Sequence, residues 1–348
     1  MNANFPLEHL IRPNILALEP YSCARDEYDG QQAVFLDANE NPFDTGLNRY
    51  PDPRQCAVKE ALSLLKGIPT ENMVLGNGSD EIIDIFIRSV CRPGLDNIVV
   101  FSPGYSMYEV AANINQAEVR KLNLTADFQP DWQGALEASD DNTRAVFIVR
   151  PNNPVGTPVP LKDIEAFCAR FPAFVVVDEA YIDFSDEPSA ASLLGRYPNL
   201  VVLQTLSKAW GLASLRLGMC FAHRQLAGIL SKVKAPYNIG GLTQRTVLEA
   251  LSDYPAYRQK LDEIKRQRAR LQTMLESCGW FERVLPSEAN FILATSRHAL
   301  ALYRYLTENK VVVRLRDIPP LIPGGVRITV GTAAQNDRLE ALLGDFRP

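Results

Sequence analysis

Lys208 sits in Thr205-Leu206-Ser207-Lys208-Ala209-Trp210-Gly211, with Arg216 shortly after it and Asp178 and Tyr181 upstream in Asp178-Glu179-Ala180-Tyr181. An amine ringed by hydroxyls and a guanidinium can condense with an aldehyde beside a bound phosphate. A carboxylate 30 positions earlier can hold a cationic ring nitrogen. Pyridoxal phosphate asks for all three: an amine for its aldehyde, anion-binding groups for its phosphate and a carboxylate for its ring.

Each residue carries a requirement of its own. To react, Lys208 must spend time as a neutral amine, so its pKa has to fall from about 10.4 through desolvation and nearby cations such as Arg216. Alone it would read as a solvated loop lysine; the flanking Thr205, Ser207 and Arg216 argue otherwise. Asp178 closes an apolar run, where a carboxylate needs a partner to offset desolvation. A pyridinium would be that partner, and an N-cap or a structural salt bridge is the plainer alternative. Tyr181 can hydrogen-bond the ring's phenolic oxygen, as can Asn153 in the turn Arg150-Pro151-Asn152-Asn153-Pro154-Val155-Gly156-Thr157. Two prolines and a glycine enforce that turn.

Gly76-Asn77-Gly78-Ser79-Asp80-Glu81 opens onto the apolar stretch 82–87. Ser79 reads there as an N-cap, and Gly78, Ser79 and Asp80 as the start of a helix whose free N–H groups receive the phosphate. Simple capping explains Ser79 equally well. Tyr105, in Ser102-Pro103-Gly104-Tyr105, can stack on the pyridine face or serve as a structural aromatic. Arg314 and Arg327 lie in strand-like segments whose apolar neighbours would bury their stems. Their forks match a carboxylate or phosphate bidentately, making them candidates for the substrate's anion; surface salt bridges are the alternative.

These groups need a scaffold. Apolar runs at 98–101, 145–149, 174–177, 200–203 and 217–221 read as buried strands. Their continuous rather than alternating character suits a sheet covered by helices on both faces. The intervening segments are mostly long enough for helical crossovers, which predicts an α/β fold with a mostly parallel sheet. Tyr105, Asn153, Asp178 and Lys208 each follow one of these runs. Ligands in open α/β sheets gather outside the carboxyl ends of strands, so these four are expected on one crevice. Helix is predicted over 242–278 with Gly279 as its stop, then strands near 290–293, 311–314 and 326–330 around a helix near 298–308. The chain accordingly divides into an N-terminal arm (1–30, broken by Pro6, Pro13 and Pro20), a large cofactor-binding domain (31–240) and a smaller α/β domain (241–348).

Composition bounds the rest. At 348 residues, with 46% hydrophobic and 22% charged side chains, the chain has ample core for two globular units. A net charge of −5 without basic runs argues against nucleic acid or an anionic membrane as partner. Residues 1–20 lack a signal-peptide pattern, and no apolar stretch approaches the ~20 residues that span a bilayer. Six scattered cysteines (23, 56, 91, 168, 220 and 278) read as buried reduced thiols in a cytoplasmic protein rather than as a disulfide framework. The three histidines, His9, His223 and His298, are too dispersed for a zinc site or an obvious general base.

Taken together, the lysine and aspartate motifs resemble the fold-type I, aspartate-aminotransferase-like family of pyridoxal phosphate enzymes, nearly end to end. Four further stretches narrow the resemblance to the branch acting on histidinol phosphate. They are Pro20-Tyr21-Ser22-Cys23-Ala24-Arg25-Asp26-Glu27, Asp37-Ala38-Asn39-Glu40-Asn41-Pro42, Asn48-Arg49-Tyr50-Pro51-Asp52 and Arg327-Ile328-Thr329-Val330-Gly331-Thr332. The resemblance implies Lys208 as the Schiff-base lysine and proton shuttle, with Asp178, Tyr181 and Asn153 on the ring and Tyr105 stacked above it. It implies phosphate-binding positions at Gly78, Ser79, Thr205, Ser207 and Arg216, and substrate-binding positions at Tyr21, Arg314 and Arg327. Tyr50 matches a residue that reaches into the partner subunit's site, and the family is homodimeric. The implied reaction, part of histidine biosynthesis, moves the amino group of histidinol phosphate to 2-oxoglutarate, giving imidazole acetol phosphate and glutamate.

Related activities share this core. An aromatic or broad-specificity aminotransferase would differ in its amine donors, and a threonine-phosphate decarboxylase would release carbon dioxide without needing a keto acid. A regulator on this fold would need a DNA-binding module, for which the first ~30 residues are too short. One departure stands out: Val155 occupies a turn position where the family often carries threonine, although Asn153 and Gly156 remain.

Overall fold

The computed structural model describes residues 5–22 and 33–347. Seven strands form the main sheet: β1 (Met73–Asn77), β2 (Asn97–Ser102), β3 (Glu118–Asn123), β4 (Thr143–Val149), β5 (Phe174–Asp178), β6 (Leu200–Thr205) and β7 (Leu217–Ala222). Their order is β1-β7-β6-β5-β4-β2-β3. The stretch from β6 to β3 is parallel throughout, while β7 runs antiparallel to both of its neighbours. Every residue of β4, β5, β6 and β7 is buried, as continuous apolar runs under two helical layers require. The expected α/β architecture is therefore borne out.

Two strands escape the apolar-run criterion. Edge strand β3 reads Glu-Val-Arg-Lys-Leu-Asn, with its charged side chains keeping the edge from pairing further. In β1 only Met73, Val74 and Leu75 precede Gly76-Asn77, which the sequence alone suggests is loop.

A second, antiparallel sheet follows in the order β10-β11-β9-β8, made of β8 (Arg283–Val284), β9 (Phe291–Thr295), β10 (Arg314–Leu315) and β11 (Gly325–Thr329). The helices Tyr254–Ser277, Ala299–Glu308 and Ala333–Asp345 contribute to its core, in which Leu271, Leu275, Ile292, Leu302, Val326 and Leu343 are fully buried. The helix expected over 242–278 is two helices, Gly241–Ser252 and Tyr254–Ser277. Asp253 breaks it by accepting the Ala256 N–H, with Pro255 in the first turn of the second helix. The extended segment expected at 311–314 pairs only from Arg314 onward.

The described part of the arm packs closely: Leu7, Leu10, Ile11 and Ile15 are buried in the main core, and the Arg12 N–H donates to the Ser89 carbonyl at 3.1 Å. Residues 23–30, and with them Cys23 and much of the Pro20-to-Glu27 motif, lie outside the described residues. Among the described cysteines Cys91, Cys168 and Cys220 are buried free thiols as expected, but Cys56 is exposed at the start of the helix Cys56–Lys66. A bridging cluster of Tyr181, Phe184, Ala209, Tyr257, Leu261 and Phe291 joins the two sheet units. Within it Trp210, two residues after Lys208, stacks on Tyr257 with ring centroids 3.8 Å apart. Among the described residues no helix is long and apolar enough to cross a membrane.

Candidate active site

The carboxyl ends of β4, β5 and β6 open onto one cleft. Its walls carry Ser79, Asp80, Tyr105, Asn153, Asp178, Tyr181, Thr205, Ser207, Lys208 and Arg216, so residues scattered over more than 130 positions of sequence converge. Gly78 lies directly beneath Arg216: a Cβ there would sit 2.4 Å from the Arg216 Nη2.

Asp178 is the last residue of β5 and almost wholly buried. Burial pushes its carboxyl up from the usual carboxylate range. Two hydrogen bonds oppose that shift, from the Tyr108 hydroxyl to Oδ2 at 2.6 Å and from the Ala180 N–H to Oδ1 at 3.0 Å. Lys208 lies in the loop joining β6 to β7. Its amine is pulled below the ordinary lysine value, first by desolvation and then by Arg327, with Arg216 adding to the effect while Asp178 and Asp80 oppose it. The Nζ stands 5.7 Å from the centre of the Tyr181 ring. The Tyr181 hydroxyl accepts from Asn153 Nδ2 at 3.3 Å, which places the two expected ring-oxygen donors side by side. Burial pushes the Tyr181 phenol up to about 12 against the pull of Arg327.

At the other end of the cleft the helix Gly78–Val90 begins without any side-chain cap. Ser79 is not the N-cap that the sequence suggests; Asn77 holds that position, and Ser79 lies inside the first turn on the cleft wall. Gly78 adopts φ +77° and donates its N–H to the Arg216 carbonyl at 2.7 Å. A Cβ on Gly218 of β7 would lie 2.4 Å from the Ser79 nitrogen, so two glycines let the helix start and β7 meet. The Thr205 hydroxyl donates to the Leu217 carbonyl at 3.0 Å and accepts the Ser207 N–H at 3.1 Å, fixing the loop's first turn. Asp80 accepts from the Tyr105 hydroxyl at 2.8 Å and pairs with Arg216 at 3.4 Å. Its own charge repels a phosphate, so its side chain serves to orient Tyr105 and Arg216.

This donor set fits pyridoxal phosphate. An uncapped helix N-terminus, a guanidinium and the hydroxyls of Ser79 and Ser207 form a dianion cradle, with Thr205 fixing the turn that presents Ser207. At the far end, a buried carboxylate whose charge is penalised by burial suits a pyridinium.

Residues 27–342 match the protein family described as aminotransferase class I and II. The chain belongs to the class I and II aminotransferases. It is 47% identical to a histidinol-phosphate aminotransferase of Parabacteroides distasonis, covering 96% of each chain, and 46% identical to one of Cytophaga hutchinsonii, covering 98% and 99%. Among solved structures it superposes on a histidinol-phosphate aminotransferase of Sinorhizobium meliloti in complex with pyridoxal-5'-phosphate. That match has a TM-score of 0.79 at 25% identity and covers 85% of this chain and 82% of the other.

In this aminotransferase the expected substrate-binding residues separate. Arg327, on β11, donates from Nη1 to Asn153 Oδ1 and lies 5.1 Å from the centre of the Phe291 ring, which brings it to the cleft. Arg314 pairs with it across β10 and β11 but is exposed, lining a neighbouring hollow that Arg327 shares. Tyr21 is not brought to the cleft: it is 68% exposed and lines a separate cavity with Pro53, Arg54 and Lys59. Tyr50 also lies outside, stacked on Tyr237 with centroids 4.6 Å apart and half exposed. The Val155 substitution is absorbed locally, because its side chain is fully buried and its N–H donates to Asn152 Oδ1 at 3.2 Å.

Three features went unread in the sequence. Tyr108, three residues after Tyr105 and in the first turn of the helix Met107–Ile114, supplies the hydroxyl on Asp178. Arg150, wholly buried, bridges to Glu179 at 2.7 Å and donates through Nε to the Val159 carbonyl at 2.6 Å, while its N–H donates to the Asp178 carbonyl at 2.8 Å. This pair ties the ends of β4 and β5 together behind the cleft. The third is Arg316, whose alternation with Arg314 along an extended chain was the available signal.

Proposed function

We propose that this chain is a pyridoxal-phosphate-dependent aminotransferase that transfers the amino group of histidinol phosphate to 2-oxoglutarate, yielding imidazole acetol phosphate and glutamate in histidine biosynthesis. One observation carries this reading: a single cleft holds an amine pulled toward neutrality and, across from it, a buried carboxylate that needs a cation. The near full-length relatives named for this activity support the choice of substrate.

Pyridoxal phosphate, when bound, supplies an aldehyde that takes up the substrate's amino group and a ring that withdraws electrons from its α-carbon. The chain does the rest. Arg216, the N–H groups at the start of the helix Gly78–Val90 and the hydroxyls of Ser79 and Ser207 hold the phosphate, with Thr205 fixing the turn that presents Ser207. Asp178 keeps the ring nitrogen protonated, held in place by Tyr108 and by the Arg150–Glu179 pair behind it. Asn153 and Tyr181 donate to the phenolic oxygen, and Tyr105, its hydroxyl fixed by Asp80, covers the ring face. The Lys208 amine, depressed in pKa, takes the proton from the substrate's α-carbon and delivers it one atom beyond the nitrogen. Arg327 and Arg314 receive the substrate's anion.

The chain works as a homodimer in this reading. Val34, Leu36, Phe43, Leu47 and Tyr50 are all exposed within one short segment, and Leu242 is exposed near it, an apolar surface of the kind a second copy covers. Tyr50 is the side chain placed to reach the partner's cleft. The division into an arm (1–30), a large domain (31–240) and a small domain (241–348) draws support from the two sheets and from a second core whose buried residues all lie between Leu271 and Phe346. Buried free thiols at Cys91, Cys168 and Cys220 suit the reducing cytoplasm, where we place the protein.

The test is direct: purified protein with histidinol phosphate and 2-oxoglutarate should release glutamate, and should do so faster than with phenylalanine or tyrosine as donor. Equal rates would favour a broad-specificity enzyme. Carbon dioxide release without a keto acid would favour a decarboxylase.

A further inference from the structure

Arg316 follows β10 and is fixed by its backbone, whose N–H donates to the Gly325 carbonyl at 2.6 Å. The approach is close enough that a Cβ on Gly325 would lie 2.2 Å from the Arg316 carbonyl oxygen. Arg314 and Arg327 are register partners, and Arg316 stands two residues beyond Arg314 on the same extended strand edge. Side chains alternate along a strand, so Arg314 and Arg316 project from one face, and Arg327, opposite Arg314, projects with them. Three guanidinium groups thus share one side of the small sheet.

Their electrostatic surroundings are unusual. The charged groups near Arg316 are Arg327 and Arg314, and the one near Arg327 is Arg314, with the neutral Tyr181 phenol beside both. None is a carboxylate. The Nε of Arg316 is buried with no hydrogen-bond partner, although the side chain is only half-buried overall. A buried donor without an acceptor is costly, and like charges gathered without a counter-ion add to that cost. A site in this state is complementary to an anion with more than one charge and more than two acceptor oxygens. A carboxylate offers one charge and two oxygens. A phosphate monoester offers about −1.5 to −2 charges and three oxygens.

We propose that Arg316 is a specificity-determining residue, completing with Arg314 and Arg327 a three-guanidinium site for the phosphate monoester of the amine donor. The inference rests on the function proposed above and adds a division of labour. The phosphate ester engages all three arginines, whereas the carboxylate of glutamate relies on Arg327, which alone of the three hydrogen-bonds Asn153 on the cleft wall.

The experiment compares the two half-reactions in single turnover, using Arg316→Gln and Arg316→Lys in the cofactor-loaded protein. Loss of a charge-assisted fork should lower kcat/KM for histidinol phosphate by roughly 10- to 100-fold in R316Q. The value for glutamate should change by less than about threefold, within the range of an interaction not made. R316K should recover part of the loss, since it restores the charge but not the fork. A second readout needs no organic substrate: inorganic phosphate should raise the melting temperature of the loaded wild-type protein by mass action, and R316Q should lose most of that shift. Equal losses in both half-reactions, or an undiminished phosphate shift in R316Q, would overturn the proposal. Wild-type protein that reacts with glutamate but not with histidinol phosphate would instead defeat the functional reading, and the phosphate titration would still decide the role of Arg316.

Discussion

Replacing Tyr108 by phenylalanine isolates one hydrogen bond at the centre of the site. The ring packing should survive, because Tyr108 stacks on Phe147 at 4.6 Å and meets Tyr105 edge-on at 5.6 Å, contacts that phenylalanine keeps. What is lost is the 2.6 Å donation to Asp178 Oδ2 between two side chains that are each at most 3% exposed. Hydrogen bonds to charged groups contribute about 1.5–3 kcal/mol, and water cannot readily replace this one. With only the Ala180 N–H remaining, the ionised form of Asp178 is less favoured and its already raised pKa rises further. The carboxylate is the form that holds a cationic ring. Affinity of the cofactor-free protein for pyridoxal phosphate should therefore fall roughly 10- to 150-fold. The acid limb of binding should also move to higher pH, since deprotonation then needs a higher pH. Absorbance titration of the cofactor-free protein across pH measures both. Unchanged affinity together with an unmoved acid limb would show that Tyr108 does not tune Asp178.

Three other perturbations follow from the same geometry. Lys208→Met should abolish turnover yet stabilise the cofactor-free protein at neutral pH, because the native state penalises the lysine's charge; the gain should fade as pH rises through the depressed pKa toward the ordinary 10.5, and thermal melts at several pH values would reveal it. Arg150→Met leaves Glu179 charged and buried and should cost about 3–5 kcal/mol in urea unfolding, with Glu179→Gln in the same background recovering part of the loss. Gly78→Ala forces a side chain into φ +77° and against Arg216, so cofactor affinity should drop by about tenfold while the fold persists; an unchanged dissociation constant would argue against the phosphate cradle.

The sequence was most legible where one physical requirement dominated. Strands β2, β4, β5, β6 and β7 are buried on both faces and so could be read from apolar runs alone. By contrast β3 is a charged edge and β1 ends in Gly76-Asn77, so neither meets that criterion. The break at Asp253 carried a visible signal, an N-cap residue before Pro255, but the helical periodicity on either side masked it. In the cleft, residues that end strands were legible because a polar group there has few structural uses. Tyr108 and the Arg150–Glu179 pair were not, since their meaning depends on neighbours far away in sequence. Tyr21 and Tyr50 illustrate the opposite limit: both lie outside the cleft, Tyr21 on a separate cavity and Tyr50 stacked on Tyr237, a placement that residue type and spacing do not reveal.

The central claim is that one particular amine carries the cofactor. Borohydride reduction of the loaded protein, followed by peptide mass mapping, should place a phosphopyridoxyl group on Lys208 and on no other lysine. A label on a different lysine, or none at all in protein that retains bound cofactor, would contradict the account.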